Sequence, residues 1–250
     1  MKPRKRHVST ICGEPHFDYG DAEASRAALT GVDTLLMVSA PESADRLEQH
    51  RTFVEAAAAA GVGHVVYTSF VAAAPDATFT LARDHYATEE YVRASGMAWT
   101  FLRDSFYIDF MEALVGDDGV IRGPAGNGRC AIVARRDVAR AAASVLAAPE
   151  PHRNRTYDLT GPEALSMTEV AETISAVRGR PVRFHDETVE EAYASRAGYG
   201  APAWQLDAWV STYTAIRSGA MAKVSDAVRS ITGTDPIRLA DHLRSHPSTA

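Results

Sequence analysis

Hydrophobic positions in this chain come in short unbroken runs separated by long alanine-rich stretches. Thr34–Val38, His64–Thr68 and Trp99–Leu102 are three such runs. None alternates polar with apolar residues, which is the pattern of strands buried on both faces. Residues 42–60 and 82–95 lie between them and read as helices. Gly61 and Gly96 stand just past their ends, where a left-handed cap is easiest for glycine. Strand, helix, strand, helix, strand predicts a parallel sheet with right-handed crossovers.

The remaining pattern fills in around that unit. A first helix is expected over residues 21–29, with a short strand at Phe17–Tyr19 before it. Residues 116–128 carry five glycines and Pro124 and read as a loop or a hairpin. Residues 136–147 are helical in composition, with Asp137 near the positive helix start and Pro149 and Pro151 beyond the end. Thr156–Thr160 reads as a further strand. Ser166 followed by Glu169 has the spacing of a capping box and opens another helix. A short strand is expected at 181–184, and residues 188–245 read as mostly helical, broken at 198–202, 219 and 233–236. The fold class expected is α/β: a Rossmann-like parallel sheet of about five strands, with a smaller, mainly helical C-terminal lobe. Residues 1–13 are expected to be disordered or poorly packed, 14–161 to form the dinucleotide-binding domain, and 162–250 to form a substrate lobe, part of which returns to the sheet.

Composition narrows the class. The chain has 250 residues, a formal charge of −6 and two cysteines, Cys12 and Cys130. The negative balance argues against a general nucleic-acid binder, which needs clustered Lys and Arg. Two cysteines outside any Cys-x-x-Cys pair do not make a disulfide framework, and a reducing, cytoplasmic setting fits them best. No stretch approaches the roughly 18 apolar residues of a membrane span, and the basic start, Lys2 to Arg6, lacks the apolar core of a signal peptide. The histidines show no metal-binding spacing, so no metal is expected, and no G-x-S-x-G elbow occurs. Trp204, Trp209 and Tyr213 form an aromatic patch at near-helical spacing that reads as lobe packing.

In open parallel sheets ligands bind outside the carboxyl ends of the strands. Ser39-Ala40-Pro41-Glu42, Ser69-Phe70-Val71 and Arg103 to Tyr107 occupy those ends and are the candidate rim. Neither a G-x-G-x-x-G fingerprint after a strand nor a phosphate-binding P-loop is present. Gly123-Pro124-Ala125-Gly126-Asn127-Gly128 is glycine-rich, but no helix starts directly after it, so it reads as a connecting loop.

These residues carry a family resemblance. Asp18-Tyr19-Gly20-Asp21, Leu29 to Asp33, Gln49-His50-Arg51, Ala58 to Val62 and Tyr67-Thr68-Ser69 resemble the NmrA-like, atypical short-chain dehydrogenases. So do Asp84-His85 with Thr88-Glu89, Thr100 to Arg103, Tyr107, Arg136-Asp137-Val138-Ala139 and Tyr157 to Gly161. The resemblance runs in order over residues 16–245 and is nearest to the bacterial NAD(P)H:quinone oxidoreductases. It implies hydride transfer from NAD(P)H to a quinone or related carbonyl compound, with no nucleic acid or membrane as partner and a homodimer as one expected assembly. It implies His85, Tyr107 and Ser69 at the reacting end and Ser39, Ala40, Pro41, Thr68 and Arg103 along the cofactor path. A histidine at position 85 suits proton transfer near neutral pH.

The chain departs from its relatives in three places. The Tyr-x-x-x-Lys pair of ordinary short-chain dehydrogenases is absent, since Glu90 follows Tyr86 and Val71 follows Tyr67 at that spacing. Asp104 stands where the quinone reductases carry Asn, which replaces a donor by a potential negative charge. Only about fifteen residues precede the Asp18-Tyr19 segment, too few for the strand, glycine-rich turn and helix that cradle the pyrophosphate in the family. NADP(H) or NAD(H) binding is therefore expected to be weakened or lost. Two alternatives stay open from the sequence: a non-catalytic NAD(P)-sensing regulator, and a truncated, inactive family member.

Overall fold

The computed structural model describes residues 18–246. The described residues open with a turn into helix α1 (Ala22–Ala28), whose Asp21 side chain accepts the N–H groups of Glu23 and Ala24. Strand β1 (Thr34–Met37), helix α2 (Arg46–Ala59), strand β2 (His64–Phe70), helix α3 (Thr80–Ala94) and strand β3 (Ala98–Asp104) follow. After an irregular stretch come strands β4 (Val120–Gly123) and β5 (Arg129–Cys130), helix α4 (Arg135–Ala147) and strand β6 (Arg155–Leu159). Strand β7 (Leu165–Ser166), helix α5 (Met167–Arg178), strand β8 (Arg183–Asp186) and helices α6 (Val189–Arg196), α7 (Ala203–Arg217), α8 (Ala227–Thr232) and α9 (Leu239–Ser245) complete it.

The main sheet is wholly parallel in the order β1-β2-β3-β6. Its central strands show why the apolar runs are continuous. Val65, Tyr67 and Phe101 face a core shared with Phe53 and Val54 of α2 and Val92 of α3. Val66 and Leu102, one residue away, face the opposite core with Val138, Ala141 and Val145 of α4 and Val228 of α8. A strand covered by helices on both faces needs apolar side chains at every position. Gly61 and Gly96 take left-handed φ values of 83° and 80° just after the α2 and α3 caps.

Four strands, not five, form this sheet among the described residues. Asp18 and Tyr19 lie in the turn before α1, and the Tyr19 ring stacks on Phe53 at 4.1 Å rather than pairing as a strand. Phe17 and the segment 1–13 lie outside the described residues. The segment 116–128 also differs from a simple loop or local hairpin. It contains β4, which pairs in parallel with the distant β8, while β5 pairs antiparallel with β7. Both partners lie dozens of residues away, so no local pattern could disclose them. The capping box of α5 is formed as expected, with Ser166 and Glu169 each capping the other's backbone.

A third core, built from Ile121, Met167, Ile174, Tyr213, Ile216 and Leu243, joins β4, α5, α7 and α9. Two glycines allow α7 to lie against the β4–β5 segment. A Cβ on Gly128 would stand 2.1 Å from the Ile216 carbonyl oxygen, and one on Gly123 would stand 2.3 Å from the Tyr213 ring. These glycines therefore serve a close helix approach.

Candidate active site

The carboxyl ends of β1, β2 and β3 are bound together by buried polar side chains from α2 and α3. Ser39 N–H donates to Thr68 Oγ1 at 2.9 Å and Ala40 N–H donates to His50 Nε2 at 2.8 Å. Arg46 Nε donates to the Ala40 carbonyl at 2.9 Å, so both backbone groups of Ala40 are held. Arg46 also places Nη2 3.0 Å from His85 Nε2, and His85 Nδ1 is 2.9 Å from Tyr67 Oη. A guanidinium can only donate, which fixes His85 with an accepting Nε2 and a proton on Nδ1. By the same reasoning His50 accepts at Nε2 and donates from Nδ1 to Thr88 Oγ1 at 2.9 Å. Burial, reinforced by the nearby Arg46 charge, pushes the His50 value down to about 3 and that of His85 well below normal.

A second network lies beside it. Ser69 Oγ donates to Glu89 Oε1 at 2.6 Å, and Arg103 grips the same carboxylate at 2.8 and 2.7 Å. Arg93 adds a bond of 3.1 Å. Glu89 is fully buried, so its charge is balanced inside the protein.

Below the rim on the β4 side lies a cavity of about 490 Å³. Phe106, Tyr107, Phe110 and Met111 from the segment after β3 make one wall, and Tyr199, Trp209 and Tyr213 from α7 and the turn before it make another. Its charged lining residues are Arg122 and Arg196, which pair with Asp118 and Glu187. Tyr107 Oη is 2.8 Å from Asp104 Oδ2. Asp104 is 2% exposed, its Oδ1 has no hydrogen-bond partner, and burial pushes its value up to about 8. Burial and the neighbouring Asp104 raise Tyr107 as well.

The expected site residues therefore divide. Ser69 and Arg103 meet on Glu89, and His85 joins Tyr67 and Arg46. Ser39, Ala40 and Thr68 are tied to the rim loop, while Pro41 is exposed on it. Tyr107 alone of the eight lines the cavity. His85 is buried rather than facing solvent. Ring contacts with Phe70 at 5.9 Å, and from Phe70 to Phe106 at 5.0 Å, connect it to the cavity wall. Arg46, His50, Thr88 and Glu89 were not singled out as site residues from the sequence. Their signal was spacing: Arg46 and His50 lie four apart on α2, and Asp84, His85, Thr88 and Glu89 share one face of α3.

The NmrA-like family model matches residues 16–203. The chain belongs to the NmrA-like family. It is 33% identical to an NAD(P)H azoreductase of Xenophilus azovorans over 244 residues, 96% of this chain and 83% of that protein. The structure of Escherichia coli NADPH-dependent quinone oxidoreductase complexed with NADPH aligns with a TM-score of 0.82 and 31% identity, covering 90% of this chain and 80% of that one. Citrobacter sp. triphenylmethane reductase complexed with NADP(H) aligns at 0.81 and 32%, covering 92% and 82%. The α/β architecture seen here is thus the fold of NAD(P)H-dependent reductases.

The family implies a nicotinamide dinucleotide. The residues present suit its ring end: small Ser39 and Ala40 sit on a fixed backbone at the end of β1, next to the open strand ends of β2 and β3. Among the described residues no glycine-rich strand–turn–helix stands ready for the pyrophosphate. Among the same residues no helix is long and apolar enough to cross a membrane, and no cluster of His, Cys, Asp or Glu could hold a metal.

Proposed function

We propose that this NmrA-like protein reduces a flat conjugated acceptor, a quinone or a related carbonyl compound, in the cavity beneath α7. The observation that carries the reading is the aromatic-walled cavity beside the carboxyl end of the parallel sheet, in a chain 31–33% identical to NAD(P)H-dependent quinone and azo reductases. When bound, the nicotinamide supplies hydride. The chain's own groups exclude water, hold the acceptor between aromatic walls and place a hydroxyl, Tyr107 Oη, against it. Tyr107 is the catalytic residue of this reading. His85 and Ser69 are positioning residues, because both of their polar ends are engaged inside the rim. Ser39, Ala40, Pro41 and Thr68 border the nicotinamide, and Arg103 fixes that border through Glu89.

NADPH consumption followed with and without 1,4-naphthoquinone tests the reading. Acceptor-dependent oxidation is expected. A chain that takes up NADPH yet shows no acceptor-dependent oxidation overturns it and favours a nucleotide sensor.

A further inference from the structure

Asp104 is a carboxyl group in a place that does not suit a carboxylate. It ends β3 between Phe70 of β2 and Leu159 of β6, is 2% exposed, and leaves Oδ1 without a partner. Its one side-chain neighbour in hydrogen-bond range is Tyr107, at 2.8 Å. The Arg103 next to it in sequence turns to Glu89 and cannot neutralise it. Besides Asp104, the charged groups that act on Tyr107 are Arg135 and Asp109, whose carboxylate accepts the Arg135 backbone N–H; the buried Cys130 thiol, in contact with Ser105, is pushed up to about 12.

The state of this carboxyl decides which way the Tyr107 hydroxyl points. An ionised Asp104 only accepts, so the Tyr107 proton is held on it and the cavity sees lone pairs. A neutral Asp104 donates to the Tyr107 oxygen and frees the phenolic proton for the cavity. We propose that Asp104 is the proton store of the cavity: as a neutral acid it turns the Tyr107 proton toward the bound acceptor and replaces the proton that Tyr107 gives up. The proposal rests on the cavity being the acceptor site.

The step balances. Hydride from a dihydronicotinamide brings two electrons and one proton to the acceptor and leaves a pyridinium. The Tyr107 O–H bond breaks as the acceptor oxygen gains its proton. The Asp104 O–H bond breaks in concert to re-form the Tyr107 hydroxyl, and the resulting carboxylate is reprotonated from solvent between turnovers. The net transfer runs from a carboxyl near 8 to a phenolate-type oxygen whose ordinary value is about 10. Concerted transfer never exposes a free Tyr107 phenolate, so the raised Tyr107 value is no obstacle. Asp104 thereby supplies the donor that its replacement of Asn removes in sequence.

Binding of 9-fluorenone, an aromatic ketone, followed by tryptophan fluorescence, tests the orientation without turnover. In the wild type its Kd should rise about fivefold from about pH 6.5 to about pH 9.5, equivalent to one hydrogen bond of about 1 kcal/mol. Asp104→Asn should remove that pH step, since an amide donates at every pH, and Tyr107→Phe should bind weakly at both. Infrared spectra of protein carrying 13C-labelled aspartate should show a protonated carboxyl at about pH 6.5 that Asp104→Asn abolishes. In turnover, the wild-type kcat should fall above about pH 8 and the Asp104→Asn profile should lose that limb. Fluorenone binding without a pH step, or no such infrared band, overturns this proposal alone. No fluorenone binding at either pH overturns the cavity reading and this proposal together.

Discussion

The two polar regions at the end of the sheet are built on opposite plans. At the rim, Ser39, Ala40, Arg46, His50, Tyr67, Ser69, His85 and Glu89 bond to one another and to backbone. The largely apolar cavity lining includes Tyr107, whose hydroxyl is backed by a buried carboxyl with one oxygen unpartnered. The rim holds strand ends and a loop in register. The cavity holds polar capacity in reserve. Satisfied buried networks rigidify, while unsatisfied buried groups mark places where chemistry or a ligand completes the structure. Polar residues at strand ends can thus serve a site from beneath without touching what binds there.

Acid is expected to break the rim first and with the largest effect. His50 has a folded value of about 3 against an ordinary 6.5, because it is buried beside Arg46 and accepts the Ala40 N–H at Nε2. The unfolded chain therefore binds a proton that the folded chain refuses, and the stabilisation present above pH 6.5 is lost as pH falls toward 3. The interval corresponds to roughly 5 kcal/mol. Urea unfolding across this range should show the decline, and His50→Gln, which keeps an acceptor but no titration, should make it shallower, leaving the part that His85, also held well below its normal value, contributes. An unchanged slope in that variant would place the acid sensitivity elsewhere.

Arg103→Met comes next. It removes the bidentate partner of the fully buried Glu89 while Arg93 and Ser69 remain. Breaking a buried pair from one side costs about 3 kcal/mol at the lower end of its range, which the urea midpoint would read. Fluorenone affinity should hold, since Arg103 is not on the cavity wall. Undiminished stability with weakened NADPH binding would instead make Arg103 a direct cofactor contact, as the family resemblance implied.

Much of this fold was legible in the sequence because its signals are local. The continuous apolar runs marked β1, β2 and β3, the segment Thr156–Thr160 marked β6, and the Ser166–Glu169 spacing marked the start of α5. The pairing of β4 with β8 was not legible, since short strands held by distant partners carry no period of their own. At the candidate site, sequence marked the strand ends that the rim networks join, but not the direction of each side chain. Ser69 and His85 sit on buried faces whose partners come from other elements, and Asp104 read as a lost donor because a one-letter code carries no solvation. Burial pushes that carboxyl up to about 8, a shift that composition alone does not disclose.

The last and smallest effect separates cavity from rim by geometry. Gly128 lies where a Cβ would come within 2.1 Å of the Ile216 carbonyl oxygen and 2.6 Å of the Arg217 Cα, both backbone atoms of α7. A methyl group there cannot be accommodated by a side-chain rotation, so α7 itself must shift. That helix carries Trp209, Thr212, Tyr213 and Ile216 on the cavity wall, whereas the rim networks draw on α2, α3, β2 and β3. Gly128→Ala should therefore cost about 2 kcal/mol in urea unfolding, as overpacking does, and abolish fluorenone binding. The Ser69–Glu89–Arg103 and His50–Ala40 bonds should persist, with the acid decline of His50 unaltered. Gly198→Ala, where nothing lies within 4 Å of the added Cβ, is the control and should change neither. Retained fluorenone binding in Gly128→Ala would mean that the α7 wall does not define the acceptor site, and that the rim must supply more of it than its hydrogen bonds suggest.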